Sequence, residues 1–88
     1  MTLDAAVALA TAELERACRK FPAGFHSGHE GYAVIHEELD ELWDAVKHDD
    51  ATACRAEAVQ VAAMALRYLV ELCDEEPMRA FTAGKVAV

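Results

Sequence analysis

The sequence predicts an all-α protein: one small domain of three helices, pooled with further copies of the chain into a helical bundle. Three observations predict it. Of the 88 residues, 55% are hydrophobic and 19 are alanine, the composition of helices packed through small side chains. Only 4 glycines and 2 prolines are present, too few for the turns of a strand-rich fold. Apolar residues recur three and four apart over most of the chain, the period of a buried helix face. Length adds the oligomer expectation. A chain of this size buries only about 60–65% of its unfolded surface as a monomer, which leaves a thin core.

The first helix is expected over about 3–20, with Leu3, Val7, Ala10, Leu14 and Ala17 on one face. Residues 21–29, FPAGFHSGH, hold one proline and two glycines and read as a loop. The second helix, 28–48, starts at an S-x-x-E capping box formed by Ser27 and Glu30. Its packing stripe is Tyr32, Ile35, Leu39, Leu42 and Val46. His48-Asp49-Asp50 is a polar turn, and Asp50 or Thr52 caps the third helix, expected over 53–75. One face of that helix carries Val59, Ala62, Ala63, Leu66, Leu69, Val70 and Cys73, and the other Val61, Met64 and Tyr68. A helix apolar nearly all round is buried on both sides. One covering is another helix of the chain, and the second is expected from another subunit. Pro77 then ends the helix, leaving a tail at 77–88 that turns, frays or docks on a neighbour. The whole of 1–88 reads as a single domain.

Acids outnumber Lys and Arg 16 to 8, a net charge of −8. Gripping nucleic acid needs a basic surface, and so does an anionic membrane, so both partners are excluded. No apolar run approaches the roughly 18 residues of a membrane span. Residues 1–15 carry an early acid and no basic segment, so no signal peptide is expected. Cys18, Cys54 and Cys73 sit where small apolar residues would serve. They read as buried free thiols in a reducing, cytoplasmic compartment.

The chemistry lies in the acids. At about 100° per residue, Glu37, Glu38 and Glu41 form a compact carboxylate patch beside the apolar stripe. Like charges three and four apart repel by roughly a few tenths of a kcal/mol per pair. Such a patch is ordinarily a solvated face. The third helix weighs against that here. Glu57 and Gln60 lie three apart inside an apolar helix, and Glu57 shares its face with Val61, Met64 and Tyr68. A buried carboxylate needs a partner. The helix has no lysine, and Arg55 and Arg67 are badly spaced for pairing with Glu57. A divalent cation shared with the acids of the second helix would relieve both strains, since Mg²⁺ takes oxygen ligands and binds substrate phosphates.

The order Glu37-Glu38-x-x-Glu41, fifteen residues, then Glu57-x-x-Gln60 resembles the E-E-x-x-E … E-x-x-D signature of the all-α nucleoside triphosphate pyrophosphohydrolases, the MazG-like superfamily. The run FHSGHEGYAVIHEELDELWDAVK is similar to small MazG-like proteins of bacteria and phages, and EAVQVAAMALRYLVEL to the family's apolar helix. The resemblance covers residues 20–75. It implies a MazG-like dimer or dimer of dimers that hydrolyses a nucleoside triphosphate to monophosphate and pyrophosphate with Mg²⁺, Mn²⁺ being an alternative. Such an activity serves nucleotide-pool house-cleaning. By position, the resemblance implies Glu38, Glu41 and Glu57 as metal ligands, with Glu37 as a further ligand or the group that orients the attacking water.

The departure is Gln60, where the family carries an acid. An amide oxygen coordinates Mg²⁺ but brings no charge and acts as no base. Three readings follow: an enzyme that works with fewer metals or borrows Asp40 or Asp44, an enzyme of altered substrate preference, or a catalytically silent relative kept for its dimer surface. Around the motif, Lys20 is a candidate phosphate contact and Phe25, with Phe21, a candidate base-stacking ring. Trp43 reads as core or interface packing, with base stacking as its alternative. Arg67 reads as a partner of Glu71 at i+4, with a substrate phosphate as its alternative. His26, His29 and His36 read as loop, cap and surface residues. A zinc site would need four ligands, and a di-iron bundle would need Glu-x-x-His pairs that the motif lacks. Gly-rich phosphate loops, C-x-x-C, H-E-x-x-H and G-x-S-x-G patterns are absent from the sequence, so kinase, Rossmann, redox and serine-hydrolase classes have no support.

Overall fold

The computed structural model describes residues 1–73. It contains α1 (Leu3–Lys20), α2 (Gly28–Lys47) and α3 (Ala51–Leu72), with no strand among the described residues. The all-α expectation holds. Each helix begins on a side-chain cap that satisfies one orphan backbone donor. Thr2 Oγ1 accepts from the Ala5 N–H at 3.1 Å, Ser27 Oγ from Glu30 at 3.1 Å and Asp50 Oδ1 from Ala53 at 3.0 Å.

Both ends of α3 differ from expectation. Asp50 rather than Thr52 caps α3, so the helix starts at Ala51, not 53. It ends at Leu72, not 75, because Cys73 turns extended at φ −118° and ψ 135°. Pro77 and the 77–88 tail lie outside the described residues. The capping box is also only half formed. The Glu30 carboxylate accepts from the His26 N–H at 2.5 Å rather than from Ser27, drawing the loop onto the helix start. At its other end α2 closes at Lys47 on a left-handed Asp49, φ 55°. The Asp49 N–H meets Val46 O at 3.0 Å and the Asp50 N–H meets Ala45 O at 3.2 Å. This pair of bonds closes helices that end on a left-handed residue, a place usually held by glycine.

α3 is the central helix. α1 and α2 each pack along it, and their backbones do not approach each other closely. The core is Ala17, Ala63 and Met64, with Leu14, Phe25, Val34 and Ile35 against it. Gly31 sets the approach of α2. A Cβ there would stand 2.7 Å from Tyr68 Cδ2, so any side chain would force the Tyr68 ring or the helices to shift.

Two sides of α3 are covered within the chain, by α2 and by α1, which folds back along it. The α2 stripe lies mostly outside the core. Gly31 and Ala45 are buried against the chain and Val34 is half-buried, because small residues permit the closest helix approach. Tyr32, Leu39 and Val46 are left outward, beside Trp43 at 57% exposure. Only Ile35 and Leu42 of the stripe are half-buried. Leu69 and Val70 of α3 are exposed as well. The three cysteines are free, and each is half-buried rather than fully enclosed. Among the described residues no helix is long and apolar enough to cross a membrane.

Candidate functional site

Because the backbones of α1 and α2 stay apart on their sides of α3, a cleft of about 700 Å³ opens between them. α2 contributes Glu37, Glu38 and Glu41, and α3 contributes Glu57, Gln60 and Arg67. α1 contributes Glu13, Arg16 and Lys20, and the loop brings Phe21, Phe25 and His26.

Carboxylate oxygens of Glu38, Glu41 and Glu57 lie within 4.8 Å of one another. Glu38 and Glu41 share a face of α2 at i,i+3, and Glu57 reaches them from α3. Glu57 is half-buried, not enclosed, since its side chain borders the cleft. Burial pushes the Glu38 carboxyl above its ordinary range, and the charges of Glu41, Glu57 and Glu37 add to the rise. Burial, with Glu57 and Glu37, does the same to Glu41. Among the described residues no lysine or arginine pairs with any of the three. The donor set is therefore three hard oxygens that no basic side chain neutralises, with a proton between Glu41 and Glu57 easing their repulsion. That chemistry fits Mg²⁺ or Mn²⁺ and does not fit a soft metal. Glu37 is exposed on the cleft wall and stands outside this trio.

Gln60, one turn beyond Glu57, turns its Nε2 to α1 and donates to Glu13 Oε2 at 2.7 Å. Glu13 also takes a two-pronged contact from Arg16, with Nε on Oε1 at 2.9 Å and Nη2 on Oε2 at 2.6 Å. The Arg16 hydrogen bond outweighs burial and, with the Gln60 bond, holds the Glu13 carboxyl below its ordinary range.

The substrate-binding candidates separate. Lys20 is exposed at the cleft, its Nζ 5.4 Å above the Phe21 ring. Phe25 is half-buried and lines the cleft. Trp43 does not line it. It lies about 200° round the helix from Glu41, with Lys47 Nζ 5.7 Å from its ring, so the base-stacking alternative falls within one chain. Arg67 is only 4% exposed, and each guanidinium nitrogen already donates to a protein oxygen. Nε meets Glu71 Oε2 at 2.7 Å, Nη2 meets Phe21 O at 2.6 Å and Nη1 meets Ala17 O at 3.5 Å. Glu71 Oε1 in turn accepts from the Phe25 N–H at 2.8 Å. Arg67 is thus a pin that ties α1 and the loop to α3, rather than a free phosphate ligand. His26 and His29 are exposed and join no metal-competent group among the described residues. His36 faces Asp40 at 3.5 Å.

Sequence reasoning missed Glu13 and Arg16. A signal existed: Glu13 stands three residues after Ala10 and four before Ala17, so it belongs to the inward face of α1. The Glu71–Phe25 bond spans 46 residues and leaves no local trace.

By fold and site, the chain is an all-α protein with a carboxylate-walled cleft. No protein-family model, curated protein or solved structure matches it.

Proposed function

We propose that this chain is a Mg²⁺-dependent nucleoside triphosphate pyrophosphohydrolase that converts an NTP or dNTP and water to the monophosphate and pyrophosphate. The observation that carries the reading is the convergence of Glu38, Glu41 and Glu57 in a cleft that also offers Lys20. The two-part glutamate motif and its MazG-like resemblance support the same reading. Glu38, Glu41 and Glu57 would hold Mg²⁺ or Mn²⁺, with the Gln60 amide oxygen as a neutral donor. When bound, the cation neutralises phosphate charge and orients the substrate.

The chain's own residues supply the rest. Glu37 accepts a proton from the attacking water. The water oxygen bonds to the α-phosphorus, the bridging α–β P–O bond breaks, and pyrophosphate leaves. Lys20 meets the outer phosphates as a charge, and the Phe25 and Phe21 rings offer an apolar face to the base. The working form is a homo-oligomer, a dimer or tetramer, favoured by the exposed Tyr32, Leu39, Trp43 and Val46. The free thiols favour a cytoplasmic setting.

One observation favours a second reading. Gln60 brings no charge and its Nε2 is bound to Glu13, which suits a catalytically silent dimerisation or binding protein on the same fold. Pyrophosphate release from a panel of NTPs and dNTPs, with Mg²⁺ or Mn²⁺ and beside Glu38→Gln, decides between them. The expected result is metal-dependent turnover that disappears in the variant. Absence of turnover from folded protein selects the silent relative.

A further inference from the structure

We propose that Glu13 is a positioning residue for the cation site: it orients the Gln60 amide so that the nitrogen faces α1 and Oε1 is the atom left for the cation. The proposal rests on the reading of the cleft as a divalent-cation site. An ionised carboxylate accepts hydrogen bonds and donates none. Arg16 holds Glu13 through both oxygens, which is the arrangement of the charged form. Gln60 Nε2 lies 2.7 Å from one of those oxygens. The opposite amide orientation would set oxygen against oxygen at contact distance with no proton between them. Glu13 therefore selects one of two orientations of nearly equal shape.

The pairing also accounts for an amide at position 60. An acid there would face Glu13 as a second carboxylate, whereas Gln60 converts the same contact into a hydrogen bond. Arg16, Glu13 and Gln60 thus form a chain of donor, double acceptor and donor that runs from α1 to α3. Outer partners that orient metal ligands commonly set affinity by about 10–100-fold.

The test is Mn²⁺ affinity of the full chain by electron paramagnetic resonance, without nucleotide. The proteins are wild type, Glu13→Ala, Gln60→Ala, the double variant and Glu38→Gln, each checked for helicity by circular dichroism. Each of the first two single variants is expected to weaken binding about tenfold. The double variant is expected to bind no more weakly than Gln60→Ala alone. Equal losses from Glu13→Ala in both backgrounds would show that Glu13 acts by its charge alone, and no loss would show that it does not act; either overturns the proposal. Should Glu13→Ala lose helicity, Glu13→Met, which keeps the side-chain length, replaces it in the cycle. A wild type that binds no Mn²⁺, or a Glu38→Gln chain that binds it equally well, overturns the cation-site reading and this proposal with it. An additive cycle in a chain that does bind Mn²⁺ overturns this proposal alone.

Discussion

Glu38 and Glu41 are held together at a cost to the folded chain. Their raised carboxyls bind protons more tightly in the folded state than in the unfolded one. Stability without metal therefore falls as pH rises from the ordinary carboxylate value of 4.5 through the raised range. At pH 7 with chelator, Glu38→Gln is expected to melt above wild type, and the gap closes as pH is lowered toward 4.5. A wild type that melts higher at pH 7 would contradict this. Glu71 works in the opposite sense. Burial raises its carboxyl, but the Phe25 N–H and Arg67 outweigh burial and lower it, so its contribution is lost as pH falls through that lowered range. The Glu38–Glu41 pair was legible because its spacing lies within one helix, and Glu57 was joined to it from α3 through the two-part motif. Glu13 was half legible, as a charge on an inward face. The Arg67–Glu71 pair, four residues apart, was legible too; the ties of Arg67 to Ala17 O and Phe21 O, and the place of Trp43 outside the cleft, were not, because both depend on how helices cross, which a helical period does not encode.

At the scale of elements, two structural joints make distinct predictions. Arg67 ties Ala17 O, Phe21 O and Glu71 together. Arg67→Met fills similar volume but leaves the Glu71 carboxylate and two carbonyls without their donor. It is expected to lower unfolding free energy by about 1–3 kcal/mol in urea denaturation. Asp49 holds a left-handed conformation, φ 55°. Asp49→Gly relieves that strain and is expected to raise stability by about 0.5–1 kcal/mol, less than the full left-handed cost because glycine loosens the unfolded chain. Thermal melting of the variant beside wild type checks it. Helix existence was read correctly from period and caps, while ends were read less well. Asp50 and Cys73 set the ends of α3 through capping and backbone turn, features weaker in sequence than the apolar stripe.

The whole molecule exposes Tyr32, Leu39, Trp43 and Val46 along one side of α2. If copies of the chain meet there, Leu39→Lys with Trp43→Lys shifts the sedimentation coefficient to that of a monomer while helicity is kept. An unchanged coefficient places any assembly elsewhere. The one-sided attachment of α1 has a different consequence. Of the two other helices α1 approaches only α3 closely, and it contributes mainly small side chains, Ala10 and Ala17, with Leu14. It is the element with least to lose on detaching, so subglobal opening begins with it. In hydrogen exchange α1 amides should lose protection before those of α2 and α3. Each such opening would carry away Glu13, Arg16 and Lys20 while leaving Glu38, Glu41 and Glu57 in place, so one wall of the cleft can come and go without the other.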